Sequence, residues 1–320
     1  MRIETTNAQA RAIVGGMASI AAADGTAPLT AADGISLQAA YHFLLRQTDA
    51  LDIAALPQLT PAELAAALPD QALHTHAARL LTIMAFVDGV LDGTKIEAVL
   101  RYAAALGIDE PYVQEIAEAA HGEVQRALVD MTRRNLESIT GKPVLSDDAM
   151  GWFLPYRGDR ADPALAARYA ALGGLPEGTL GWAYWEQYTT NHYAFPGEPD
   201  GLNEAFATPH DCLHVLSGYD TSARGELLVS TFTAAMHPAL PLEGHILPVI
   251  FSWHLGIRIN DVAGAATGAL DPAAFWDAWD RGASATVDVF APGWDFWGNV
   301  GETVTALRGR YGIPPQRLLE

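Results

Sequence analysis

His210-Asp211-Cys212-Leu213-His214 sets two imidazoles four positions apart, and eleven residues separate the second from Glu226. On an α-helix, positions i and i+4 lie one above the other, so His210 and His214 can aim at one point in space. Glu226 lies beyond a short loop, 217–224, and opens the apolar run Leu227-Leu228-Val229-Ser230-Thr231-Phe232. Helices joined by a short loop tend to pack antiparallel, which brings the Glu226 carboxylate back to the histidine pair. Two neutral imidazole nitrogens with one or two carboxylates suit one divalent transition metal. Zinc is the first choice, and iron, manganese or cobalt also fit this ligand type.

The helix that carries the pair has local boundary signals. Thr208 reads as its N-cap, Pro209 as its first residue and Gly218 as its stop. In that frame Asp211 is the third helical residue, where a carboxylate can bond back to the cap. Its side chain diverges by about 100° from that of His210. Asp211 therefore reads either as a further metal ligand or as a helix N-terminal acid. Cys212, the sole cysteine, points off the histidine face and reads as a packing residue. The pattern differs from the His-Glu-x-x-His of metallopeptidases, because Asp211 is one methylene shorter than the general base such enzymes use. A metallohydrolase is thus the weakest of the enzyme readings.

His-Asp-x-x-His, eleven residues and then Glu resembles the metal motif of the coenzyme Q biosynthesis family represented by the fourth yeast Coq protein. Other stretches resemble that family too: Leu175-Pro176-Glu177-Gly178-Thr179-Leu180-Gly181 before the aromatic helix of Trp182, Tyr184, Trp185 and Tyr188; Gly225-Glu226-Leu227; Trp279-Asp280-Arg281-Gly282; Asp288; Trp294-Asp295; and Leu307-Arg308 before Tyr311-Gly312-Ile313-Pro314-Pro315. The resemblance covers roughly the second half of the chain. It departs where family members carry a basic Arg-Tyr-Arg-like stretch before the motif; here the chain reads Asn203-Glu204-Ala205-Phe206-Ala207-Thr208-Pro209.

The resemblance implies a metal on His210, Asp211, His214 and Glu226. It implies oxidative decarboxylation of a polyprenylated 4-hydroxybenzoate-type ring in ubiquinone biosynthesis. Asp211 or His192 would handle a proton. The implied partners are an isoprenoid lipid and other quinone-biosynthesis proteins, with a homo-oligomer and peripheral contact with the inner membrane. The competing reading is a non-catalytic, prenyl-lipid-binding scaffold that organises a biosynthetic complex around a structural metal.

Composition bounds these readings. The chain has 320 residues, half of them apolar, which is enough for two domains. A net charge of -19 and a second half without lysine argue against nucleic acid and against electrostatic docking to anionic lipid. One cysteine excludes a disulfide framework. No segment reaches the ~18 apolar residues of a membrane span, and no leader pattern is evident, so the expected compartment is the cytoplasm.

The periodicity predicts an all-α protein of two helical domains with helix-bundle architectures: a flexible or loosely helical start at 1–33, one domain over 34–145 and a second over 146–320. Thr60-Pro61-Ala62-Glu63 and Thr94-Lys95-Ile96-Glu97 read as capping boxes. Between them, Ala85 to Glu97, with the later Leu106-Gly107, resembles the tellurite-resistance TerB-like helical domain. Asp88 and Asp92 in that turn lack the spacing of a calcium loop. Gly141, Pro143, Ser146-Asp147-Asp148 and Gly158-Asp159-Arg160 mark a linker interrupted by Trp152-Phe153-Leu154. Second-half helices are expected over 164–173, 179–192, 209–217, 223–237, 245–258, 272–283 and 298–311. Trp182 with Trp185, and Trp276 with Trp279, sit at helical spacing and could wall an isoprenoid tunnel, although core packing explains them equally. His237, His245 and His254 read as capping or core histidines.

Overall fold

Thr6 starts the first helix, its hydroxyl accepting from Gln9 N while Gln9 bonds back to the cap. The computed structural model describes residues 4–142, 149–260 and 264–317. The helices in order are α1 Asn7–Ala21, α2 Ala31–Ala39, α3 Pro61–Ala67, α4 Gln71–Met84, α5 Gly93–Ala105, α6 Pro111–Ala120, α7 Val124–Thr140, α8 Ala149–Phe153, α9 Pro163–Ala170, α10 Leu180–Asn191, α11 Glu204–Ser217, α12 Ala223–Met236, α13 Leu247–Val249, α14 Pro272–Ser284, α15 Phe296–Asn299 and α16 Val304–Arg310. The protein is all-α, with no strand among the described residues. None of these helices is long and apolar enough to cross a membrane.

Several local expectations change. Of the two readings of 1–33, residues 7–21 take the helical one, and the helix is packed rather than loose: α1 buries Ile13, Val14, Met17 and Ile20 in the core. Thr94 does not cap α5. Asp92 does, accepting from Thr94 N at 2.8 Å, one position type that carboxylates favour as strongly as hydroxyls. In the same turn Asp88 takes the ammonium of the buried Lys95 at 2.7 Å, so the positive charge there is the chain's own. The expected helix at 245–258 is instead two π-helical turns, Pro241–Ile246 and Ile250–His254, around α13. Pro248 lacks the N–H of a regular i→i−4 bond, and the ladder widens beside it. The expected helix at 298–311 splits into α15 and α16, where Thr303 caps the second.

One apolar cluster joins both halves of the chain. Ile13, Tyr41, Leu81 and Phe86 pack in it with Leu227, Phe251, Phe275 and Trp276. The Trp276 indole donates to Ser36 Oγ at 2.8 Å, Arg46 pairs with Asp280 at 2.5 Å, and His254 Nε2 lies 3.2 Å from the Val87 carbonyl. The expected boundary at 145/146, with Pro143 and Ser146-Asp147-Asp148, lies outside the described residues. A second cluster, with Tyr184, Leu213, Phe232 and Leu307, draws its buried members from the second half, with Ile139 of α7 packed against it. Between these clusters α12 crosses α14, and the approach needs glycine: a Cβ on Gly282 would lie 2.2 Å from the Phe232 carbonyl. Trp152-Phe153-Leu154 docks as expected, in a small cluster with Leu136, Leu202 and Phe206.

Candidate metal centre

The helix α11 begins earlier than its Thr-Pro signal suggests. Asn203 is the cap, accepting from Ala205 N at 2.9 Å, and its own backbone and side-chain N–H groups bond the Phe153 and Trp152 carbonyls. Pro209 sits inside the helix, and the Thr208 hydroxyl pairs with Tyr169 at 2.5 Å rather than capping. Asp211 is therefore mid-helix and does not bond back to a cap. At the other end Gly218 stops the helix at φ +80°, as expected. The last carbonyls of α11 are held by side chains from the tail. Arg308 donates to Val215 O and Leu216 O at 2.9 and 2.8 Å, and the buried Arg281 donates to Ser217 O at 2.8 Å. Cations at a helix C-terminus also oppose its negative dipole end.

Glu226 comes from the first turn of α12. Ser222 caps this helix, accepting from Gly225 N at 3.1 Å. Gly225 passes so close to the loop that a Cβ there would lie 1.9 Å from the Asp220 carbonyl, so no other residue fits. That approach turns the next side chain, Glu226, toward α11. Its Oε1 lies 3.4 Å from His214 Nε2 and its Oε2 lies 3.7 Å from His210 Nε2.

His210, Asp211 and His214 offer ligand atoms that all lie within 4.8 Å of one another, close enough to hold a metal ion. It is the only such group of three found among the described residues. Each member has a fixed partner on its outer side. His210 Nδ1 lies 3.0 Å from Asp211 Oδ1, the Tyr188 hydroxyl donates to Asp211 Oδ2, and His214 Nδ1 lies 3.1 Å from the Tyr219 carbonyl. A carbonyl only accepts, so Nδ1 of His214 carries the proton and Nε2 turns its lone pair inward. That Nε2 is buried without a hydrogen-bond partner, and the 3.4 Å approach of Glu226 is an ion-pair distance rather than a hydrogen bond. Burial disfavours charge on His214, yet Glu226 and Asp211 outweigh it and raise its pKa. Burial, with Asp211 next, pushes the Tyr188 phenol well up, so it stays a donor.

Donor atoms about 3.4 Å apart are what bonds of ~2.0–2.2 Å give around a tetrahedral ion. The orphaned His214 Nε2 and the convergent carboxylate thus fit a divalent cation. Such an ion would also replace the proton that these charges draw to His214.

His210, Asp211 and Glu226 form part of the wall of a cavity of about 690 Å³. The rest is largely apolar, with Phe153, Leu154, Phe206, Val249, Ile259 and Phe290. Phe206 stacks on the His210 ring at 5.0 Å between centroids. His192 also reaches this wall, but it is the exposed left-handed cap of α10, and no hydrogen bond or ion pair links it to the metal group. Cys212 is fully buried in the second cluster, as its off-face position predicts. The tryptophan pairs do not line the cavity: Trp276 and Trp279 fill the core between the halves, and Trp185 packs on the second cluster with Trp182 beside it on α10. Reasoning from sequence also passed over Tyr188, Ser230, Thr233 and His245 as cavity residues. Ser230 and Thr233 were visible in principle, since they follow Glu226 at helical spacing; Tyr188 and His245 had no local signal.

Comparison with family models, with curated proteins and with solved structures gives no match for this chain.

Proposed function

We propose that this chain is a metal-dependent enzyme of quinone biosynthesis, acting on the aromatic head of a polyprenylated 4-hydroxybenzoate-type precursor. The observation that carries the reading is the convergence of His210 Nε2, His214 Nε2 and the Glu226 carboxylate at the wall of a mostly apolar cavity. The motif resemblance supplies the reaction: the ring carboxyl group leaves as carbon dioxide and a hydroxyl from water replaces it, with an external two-electron oxidant taking up the two electrons and two protons released.

His210, His214 and Glu226 would hold the ion. We assign Asp211 to the outer shell, because both of its oxygens are already engaged, one by His210 and one by Tyr188. A carboxylate behind a ligating imidazole fixes its tautomer and raises its basicity. The metal, when bound, would act as a Lewis acid on the substrate carboxylate and neighbouring phenolate oxygens. Phe206 keeps the His210 ring in place, and the apolar wall limits water around the aromatic head. Asp211 remains the group best placed to hold a proton beside the site, ahead of the rim residue His192.

The scaffold alternative requires a ligand-saturated site. Three protein donors beside a cavity leave a coordination position for substrate, which favours the enzyme. The test is complementation of a quinone-deficient host that lacks its own family member. Restored quinone with the wild type and none with Glu226→Ala supports the enzyme. Failure of the wild type, with prenyl lipid still copurifying, overturns it in favour of the scaffold.

A further inference from the structure

The cavity has a second polar region that the proposed chemistry leaves unused. Ser230 and Thr233 follow Glu226 at i+4 and i+7, so the three share one face of α12. They lie about 6 and 10.5 Å further along the helix axis. His245 lines the same cavity and packs against Phe290 at 6.0 Å.

The hydrogen bonds around His245 fix which of its atoms is left for a ligand. Its Nε2 lies 2.7 Å from Ser138 Oγ, and that oxygen donates to the Ala239 carbonyl at 2.9 Å. The hydroxyl has one proton, and the carbonyl can only accept it. Nε2 must therefore carry a proton of its own and donate it to Ser138. Nδ1 is the bare nitrogen, and it makes no hydrogen bond among the described residues. Thr233 is in a similar state: its proton goes to the Val229 carbonyl at 2.8 Å, leaving only lone pairs to offer.

The neighbouring ring keeps His245 in this form. His237 Nδ1 faces Asp288 Oδ2 at 2.8 Å and its Nε2 faces the Ser138 carbonyl at 3.1 Å. Both partners are acceptors, so His237 is an imidazolium, edge-on to His245 at 5.7 Å. Burial first, and this cation second, hold His245 neutral. One region of the cavity wall thus gathers a metal-binding cluster, and another presents two acceptors, His245 Nδ1 and Thr233 Oγ1, whose own protons are committed elsewhere or absent.

We propose that His245 sets the specificity of the site: Nδ1 accepts the hydroxyl proton of an aromatic substrate whose acid group lies at the metal cluster. This rests on the reading of the site as a metal centre acting on a hydroxylated aromatic acid. Ser138 is then a positioning residue, since it holds the tautomer without touching substrate.

The experiment is calorimetric titration of the full zinc-loaded chain with 4-hydroxybenzoate, benzoate and 4-methoxybenzoate. The hydroxy acid is expected to bind at least tenfold more tightly than either analogue, because only it can donate to Nδ1. His245→Phe should erase that preference, and Ser138→Ala should reduce it. In the wild type, the His245 Nδ1 nitrogen resonance should move with 4-hydroxybenzoate and stay still with benzoate, a readout that does not depend on any variant folding. Equal wild-type affinity for the three acids, or a preference retained in folded His245→Phe, overturns this inference and leaves the metal centre standing. A chain that takes up no zinc, or whose zinc form binds none of the acids, overturns the metal-centre reading and this inference with it.

Discussion

His210 Nδ1 lies 3.0 Å from the carboxylate of its own chain neighbour, Asp211, and this contact turns the ring so that Nε2 faces Glu226. Tyr188 in turn donates to the other Asp211 oxygen. The chain Tyr188–Asp211–His210 therefore sets one ligand, while the Tyr219 carbonyl sets the other. Variants should separate ligands from supports. Purified protein is expected to carry one divalent metal per chain, lost in His210→Ala and His214→Ala. Asp211→Asn and Tyr188→Phe should keep the metal with affinity weakened by about 10- to 100-fold. Competition with a chromogenic chelator measures this, and complete loss in Asp211→Asn would return Asp211 to the first shell.

Arg308 and Arg281 close the C-terminal carbonyls of the helix that carries both histidines. Arg308→Met keeps much of the side-chain volume and removes the cap. It should cost about 1–2 kcal/mol of stability, the range for a partly buried cation at a helix end, and loosen metal binding as well. Chemical denaturation and zinc affinity give the two readouts, and an unchanged denaturation midpoint would contradict the capping role.

The halves should not separate. A fragment beginning at residue 149 would expose Phe275 and Trp276, both fully buried against the first half, and leave the Trp276 indole without Ser36. Truncating one such aromatic typically costs roughly 3–5 kcal/mol. The fragment is expected to aggregate alone and to recover when co-expressed with residues 1–142. A soluble, monomeric fragment with native helix content would show that the shared core is dispensable.

Burial holds His76 down to about 4, with Arg79 adding to the effect. In the unfolded chain this group binds its proton near pH 6.5. Below that pH the unfolded state holds more protons, so the contribution of His76 to stability is present above about 6.5 and lost as pH falls toward 4. The loss should reach roughly 3 kcal/mol. Denaturation curves for His76→Gln should fall less steeply than wild type between pH 7 and pH 4.5; parallel slopes would refute the assignment.

Glu115 behaves in the opposite sense. Burial, and then the neighbouring Glu243, raise its pKa to about 9, and neither carboxyl oxygen has a hydrogen-bond partner. Arg134 stands 3.9 Å off and does not offset this. The folded chain keeps a proton that the unfolded chain releases near pH 4.5, so stability is lost as pH rises from there toward 9. Glu115→Gln removes the titration and should stabilise the protein by roughly 3 kcal/mol at neutral pH, with a larger gain at pH 8.5. A destabilised variant would mean that the carboxylate is ionised and compensated.

By itself the sequence determined what is local. Helical periodicity sets His210 and His214 on one face, Gly218 ends their helix, and Glu226 falls in the first turn of the next one, because each depends on residues within a turn or two. The all-α class follows from the same periodicity. What depends on distant partners was decided only by tertiary structure. Asn203 starts α11 because the Trp152 and Phe153 carbonyls meet it there, which overrides the Thr208-Pro209 signal. Tyr188 reaches Asp211 from another helix, Ser138 selects the His245 tautomer from across the cavity wall, and Ser36 receives Trp276 from the far end of the chain. Spacing along a chain fixes which side of a helix a residue faces, but not which helix is packed against that side; that choice belongs to the burial of the apolar core as a whole.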